Sequence, residues 1–257
     1  MQVFDKLYIF LTLIVLTVGC AEKQFDPNDA QKSFGIAKEP YDDESFEIAL
    51  QKLGEFKARF PYSKYAIEAE LLIANAHFEL GQFTEAALSY EQFVKLHPKH
   101  PKVDFALFRV GESYWEDAPE EIDREQDYTE RAVSEWRKLV NQRPDSTYTP
   151  KAKELIKTGE RRIAESIEFI IDFYYKLEIY HACAYRALQL AEDYGQFRDL
   201  RIKATQMAVL SLKEIAKAKA EDPKTDKNLY FKTMTADEIL QKANLLEVKL
   251  NNFKSAG

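Results

Sequence analysis

The chain has few residues that break regular structure. Of 257 residues only eight are glycine and nine proline, together under 7%, where average usage would supply roughly 12%. A turn-rich β-sandwich and a glycine-looped nucleotide fold are both disfavoured, and collagen-like and disordered classes are excluded. Two cysteines cannot build a disulfide framework. There is no basic excess: 36 lysines and arginines face 43 acids, a net charge of −7. This argues against nucleic acid as a partner, because phosphate binding needs a positive face. The motifs G-x-x-x-x-G-K-[ST], G-x-G-x-x-G, H-E-x-x-H and G-x-S-x-G are also missing. The expectation is a non-enzyme without cofactor or metal. What remains is a mildly acidic, mostly helical chain, 46% hydrophobic, able to fill one sizeable core or an extended array.

The longest apolar run, residues 7–18, has twelve residues. As a helix it would reach about 18 Å, short of a ~30 Å bilayer core but right for the apolar region of a signal peptide. It ends on Val18-Gly19-Cys20, which resembles a bacterial lipobox, although the usual leucine three before the cysteine is Thr17 and the leucine stands at Leu16. The expected organisation is a lipoprotein signal peptide over 1–19 and a lipidated tether over 20–29. A repeat array then fills 30–221, and a linker with a capping helix fills 222–257. Several acyl chains on Cys20, each contributing ~0.8 kcal/mol per buried CH₂, would anchor the protein to a membrane. Ala21, in place of Asp, favours the outer membrane. The alternative is an ordinary signal peptide with an incidental cysteine.

The rest of the chain is periodic. With Ala49, Ala86, Ala132 and Cys183 aligned, Leu53, Tyr90, Trp136 and Ala187 follow four residues later. Phe56, Phe93, Leu139 and Leu190 follow at seven, and Pro61, Pro98, Pro144 and Gly195 at twelve. Offsets 0, 4 and 7 share one helical face, and the last position stops a helix. Three residues before the small anchor an aromatic recurs as Phe46, Phe83 and Tyr180. Ahead of these helices, Leu107-x2-Val110-Gly111-x2-Tyr114 and Ile167-x2-Ile170-Ile171-x2-Tyr174 fit the W-x2-L-G-x2-Y pattern of tetratricopeptide (TPR) units. Glu70-x2-Ile73-Ala74-x2-His77 fits it loosely, and Gly81 supplies a tight turn. The fold class is therefore all-α, a TPR superhelical array of about five helix pairs. The third repeat carries an acidic insertion at 116–123. The fifth unit is degenerate, and its last helix opens on the capping box Thr235-x-x-Glu238. That helix has an apolar stripe of Ile239, Ala243, Leu246, Leu250 and Phe253.

A lipobox, a short tether and five such units resemble the BamD (ComL) lipoproteins of the outer-membrane β-barrel assembly machine. The resemblance rests on Phe60-Pro61-Tyr62-Ser63-Lys64-Tyr65, on Phe93-Val94-Lys95-Leu96-His97-Pro98-Lys99-His100-Pro101-Lys102-Val103-Asp104-Phe105, and on Arg143-Pro144-Asp145-Ser146-Thr147-Tyr148. Asp172-Phe173-Tyr174-Tyr175 and Tyr180-x2-Cys183-x2-Arg186 add to it. It implies an outer-membrane, periplasm-facing, lipid-anchored scaffold. Its implied partners are the POTRA domains of BamA, other assembly-machine lipoproteins, unfolded outer-membrane proteins and the membrane, with no nucleic acid. The alternative is another periplasmic TPR lipoprotein adaptor, serving cell-envelope division or peptidoglycan maintenance.

In TPR arrays the first helix of each pair lines a groove through positions 2, 5, 9 and 12. Here these are Gln31, Phe34, Lys38 and Tyr41, then Glu68, Leu71, Asn75 and Phe78, then Phe105, Phe108, Glu112 and Trp115. The fourth set is Glu165, Glu168, Asp172 and Tyr175. Phe34, Leu71, Asn75, Phe78, Phe105, Phe108 and Trp115 are thus candidates for a peptide-binding groove, the alternative being that the rings pack only against neighbouring helices. Glu165, Glu168 and Asp172 are candidates for contacting a basic partner domain, together with Arg186, which the resemblance places there. His97 and His100, interleaved with Pro98 and Pro101, read as a solvated turn rather than a metal site. Cys183, at a small-residue anchor, reads as an inert packing thiol.

Overall fold

The computed structural model describes residues 24–222 and 231–255. The lipobox with Cys20 and most of the expected linker lie outside the described residues. All described regular structure is helical: α1 (Ala30–Asp42), α2 (Phe46–Arg59), α3 (Lys64–Glu79), α4 (Phe83–Leu96), α5 (Val103–Glu116), α6 (Asp127–Gln142), α7 (Thr149–Lys176), α8 (Tyr180–Asp193), α9 (Arg198–Glu221) and α10 (Ala236–Ser255). The chain divides into two compact units, one ending at Gly81 and the other beginning at Gln82.

The repeat register is visible in the helix ends. Helices α2, α4 and α8 begin on the recurring aromatics Phe46, Phe83 and Tyr180. Helices α2, α4, α6 and α8 each stop two residues before Pro61, Pro98, Pro144 or Gly195. In all four, the N–H of the residue after the helix donates to the carbonyl of the seventh-offset residue: Phe56, Phe93, Leu139 or Leu190. The chain thus turns at the position where the last apolar side chain enters the core. The aligned positions at offsets 0, 4 and 7 are all essentially fully buried.

In the first unit α1, α2 and α3 pack on one another. Phe34, Ala37, Ala49, Leu53, Phe56, Ala69 and Leu72 form the core. Two residues past the end of α3 stands Gly81, whose φ of +70° is a left-handed conformation that glycine adopts without steric cost.

In the second unit each helix from α4 to α10 packs on the next, and α7 also meets α9. The α5–α6–α7 layer is built around Trp136, which is completely buried. Its indole N–H donates to the Phe108 carbonyl at 3.2 Å. Gly111 is what lets α5 lie so close: a Cβ there would meet the indole Nε1 at 2.5 Å. Gly159 makes the same allowance for Val133, at 2.4 Å. The thiol of Cys183 is buried among Ala164, Ile171, Ala187 and Leu190. Burial pushes its pKa up, as expected of an inert packing thiol.

The fifth pair, α9 with α10, packs around Ala184, Leu212, Ala216, Phe231, Ile239 and Ala243. Its capping box forms in both directions: Thr235 N–H donates to Glu238 Oε2 at 2.6 Å, and Glu238 N–H donates to Thr235 Oγ1 at 3.2 Å.

Candidate functional site

The groove candidates fall in both units. In the first, Phe34 on α1 is buried and stacks on Tyr65, with centroids 5.3 Å apart and planes at 18°. Leu71 on α3 is buried too, whereas Asn75 and Phe78 are half-buried. In the second unit Phe108 is buried between Trp136 and Tyr148, stacking on Tyr148 at 5.3 Å and 27°. Phe105 is half-buried, edge-on to Tyr90 at 6.2 Å and 6.1 Å from Tyr148. Trp115 is half-buried against Trp136, with the Arg162 guanidinium 3.8 Å from its ring centroid.

Of the seven groove candidates, Phe34, Leu71 and Phe108 are therefore buried rather than open, and the two aromatics share one cause. In Phe60-Pro61-Tyr62-Ser63-Lys64-Tyr65 and in Arg143-Pro144-Asp145-Ser146-Thr147-Tyr148, the serine sits just before or at the turn into a first helix. Its hydroxyl accepts the N–H of the residue two further on, at 3.2 Å to Tyr65 and 3.4 Å to Tyr148. This local turn aims each tyrosine back over the groove-position phenylalanine of the preceding first helix. Stacking of this kind contributes ~0.5–1.5 kcal/mol beyond area burial. The half-open candidates are Asn75 and Phe78 in the first unit and Phe105 and Trp115 in the second.

The fourth-repeat acids stand on α7 at spacings of three and four, so they share a face, but they are not a bare acidic patch. Arg161 pairs with Glu165 at 2.9 Å. Lys203 of α9 pairs with Glu168 and lies 3.9 Å from Asp172. The expected surplus of negative charge is thus compensated by the chain's own cations. Arg186 on α8 lies over the Tyr174 ring, 5.6 Å from its centroid.

The sequence reading passed over a second apolar row on the same helix. Phe169, Phe173 and Leu177 are 45–52% exposed, and their spacing of four makes a continuous row. Tyr185 on α8 is similarly exposed. The signal was present as Phe-x3-Phe-x3-Leu beside the core stripe Ile167, Ile170, Ile171 and Tyr174, which makes this half of α7 apolar on two faces.

The His-Pro turn holds no metal geometry. His100 packs edge-on to Phe93 at 5.2 Å, and its Nδ1 accepts the Lys102 N–H at 3.1 Å. Its pKa is lowered by desolvation first and by His97 and Lys102 next. Among the described residues no cluster of three or more histidines, cysteines and carboxylates is placed to hold a metal ion. None of the described helices is long and apolar enough to cross a membrane.

Comparisons with known proteins bear on this architecture. A curated relative, the outer membrane protein assembly factor BamD of Neisseria gonorrhoeae, is 23% identical over 224 residues, covering 80% of this chain and 83% of the relative. The factor of the same name from Vibrio cholerae serotype O1 is 23% identical over 195 residues, covering 72% and 81%. Among solved structures, the TPR2AB-domain:pHSP90 complex of yeast Sti1 covers 88% of this chain and 94% of its own, at 14% identity. Its TM-score of 0.39 is too low for that likeness to carry an argument. The model of the family described as YfiO, outer membrane lipoprotein, matches residues 26–225, well over half of the chain and every helix up to and including α9. The chain belongs to this YfiO (BamD) family of outer membrane lipoproteins.

Proposed function

We propose that this protein is an outer-membrane protein assembly factor. It is a non-enzymatic scaffold, lipidated on Cys20 and held on the periplasmic face of the outer membrane. There it binds the POTRA domains of BamA, sits beside other lipoproteins of the machine, and receives segments of unfolded outer-membrane proteins. The observation that carries this reading is the exposed row of Phe169 and Phe173 on α7 and Leu177 just past its end, bordered by Glu165, Glu168 and Asp172. Contiguous exposed apolar surface with a charged rim marks a protein-docking face. We assign that face, with Arg186, to the partner domain. The half-open residues Asn75 and Phe78 in the first unit, and Phe105 and Trp115 in the second, are assigned to substrate segments, while Phe34, Leu71 and Phe108 are packed within their own units. Burying one substrate aromatic on such rings yields roughly 1.5–3 kcal/mol. Ordering a flexible peptide offsets part of this, so micromolar affinity is expected.

Photoreactive residues at Phe173, Phe78 and Phe105 test the two assignments separately. Phe173 should crosslink to BamA, and Phe78 and Phe105 to nascent outer-membrane proteins. Crosslinks to BamA alone would remove the substrate role and leave the scaffold. No crosslink from Phe173 to BamA would remove the docking face.

A further inference from the structure

The second unit holds an open cleft of about 690 Å³ between the acidic insertion, α7 and the start of α9. It is within the size range of ligand sites, and it lies apart from the row of Phe169, Phe173 and Leu177. Its lining carries four cations against three carboxylates, in a chain whose overall charge is −7. Two of the carboxylates are already used: Arg161 reaches Asp199 through both terminal nitrogens, at 3.2 and 2.6 Å, and Glu165 at 2.9 Å.

Arg162 is different. Its guanidinium lies 3.8 Å from the centroid of Trp115, and it has no ion pair or hydrogen bond among the described residues. Burial lowers its pKa, and only the field of Glu120 opposes this. A partly desolvated guanidinium with all five donors unused is costly unless something completes it. Stacking on Trp115 holds one face of the group and leaves its planar fork free in the cleft, the arrangement suited to bidentate carboxylate recognition. Lys157 adds a second exposed cation with no partner among the described residues. The first turn of α9 lines the same cleft and brings the positive end of a 24-residue helix.

We propose that this cleft is a binding site for a short acidic stretch of extended polypeptide, one carboxylate of which pairs with Arg162. Buried Phe197 and half-exposed Ile122 offer apolar contact to the residues flanking that carboxylate. With four cations against three carboxylates, the lining suits one or two negative charges and not a polyanionic surface. The carboxylate can come from a side chain or from a chain end, which share this chemistry. The site goes beyond the docking face and substrate rings assigned above, although it shares Trp115 with the rings and Glu165 with the rim of the face.

The test uses the full-length protein and fluorescence anisotropy with three labelled peptides. These are the amide Leu-Glu-Phe-Glu-Leu, its glutamine analogue, and the glutamine analogue with a free terminal carboxylate. The glutamate amide should bind at least tenfold more tightly than the glutamine amide if side chains supply the acid. The free-acid analogue should do so if the chain end does. Arg162→Gln should weaken the preferred peptide at least tenfold, and Arg162→Lys, which keeps the charge but not the fork, should weaken it at least threefold. Lys157→Gln, on an exposed side chain, should cost about two- to fivefold and reads the same cleft should Arg162→Gln unfold the chain. Lys138→Gln, which breaks an exposed pair with Glu135, should change nothing. The proposal is overturned if neither acidic peptide outbinds the glutamine amide, or if a folded Arg162→Gln binds as well as wild type. Arg162-dependent binding to phosphatidylglycerol vesicles without peptide binding would overturn it as well.

Discussion

Gly111→Ala is the sharpest probe of the repeat architecture, because general helix physics and this structure predict opposite signs. In an exposed helix, replacing glycine with alanine stabilises by about 1 kcal/mol. At Gly111 the added methyl would sit 2.5 Å from Trp136 Nε1, 2.6 Å from Cδ1 and 2.9 Å from Cε2. The indole is completely buried and cannot rotate into solvent, so α5 and α6 must separate or the ring must tilt. Overpacking of this kind costs about 1–3 kcal/mol. A tilted ring also loses its bond to the Phe108 carbonyl, about 1 kcal/mol. Set against the propensity gain, the net expectation is a loss of about 1–3 kcal/mol, which lowers Tm by several degrees in a chain of this size. Gly54→Ala on α2 is the matched control. It is exposed, and its Cβ would meet nothing within 4 Å, so it should gain up to about 1 kcal/mol. Thermal and urea melts followed by circular dichroism give both signs. Tryptophan emission should shift for Gly111→Ala alone, since both tryptophans, Trp115 and Trp136, border the affected layer. A Gly111→Ala protein as stable as wild type would refute the packing argument.

Other outcomes follow from the same register. Ala86→Leu, at a completely buried anchor, should cost about 1–3 kcal/mol by overpacking. Pro98→Ala, exposed just after α4, should cost much less, and thermal melts compare the two. Cys20→Ala should abolish incorporation of labelled palmitate and release the protein from the outer membrane; a wild type that takes up no palmitate would remove the anchor. The capping-box hydrogen bonds from Thr235 hold the Glu238 carboxyl below its usual range. Their contribution to α10 is therefore complete above the unfolded-state pKa and is lost as pH falls through the lowered folded value. Protection of the first turn of α10, corrected for the intrinsic pH dependence of amide exchange, should fall in acid, and Glu238→Gln, which does not titrate, should remove that dependence.

Much of the fold was legible because its signals are local. An apolar face repeats by helical arithmetic, a capping box closes within four residues, and a proline stops a helix where it stands. The anchors Ala49, Ala86, Ala132 and Cys183, with their partners at offsets 4 and 7, could therefore be placed without coordinates, and so could the Thr235–Glu238 cap. The 28-residue length of α7 was less legible. Its first half carries charges on most faces, and its close approach to Val133 at Gly159 is seen only once the helices are packed.

The candidate sites divide along the same line. Groove positions can be counted from the repeat, so Phe34, Phe108, Glu168 and Asp172 were nameable from the chain alone. Whether each is open is decided by residues 31 to 40 positions away, which periodicity does not reach. Tyr65 closes over Phe34 and Tyr148 over Phe108, while Lys203 reaches from α9 to Glu168 and Asp172. Arg162 shows the converse, since only the fold shows that it stacks on Trp115 and makes no ion pair among the described residues. Helical geometry sets which face a side chain occupies, and that is a property of the few residues around it. Exposure and charge compensation depend on what the neighbouring repeats bring against that face, and that exists only once the helices are packed.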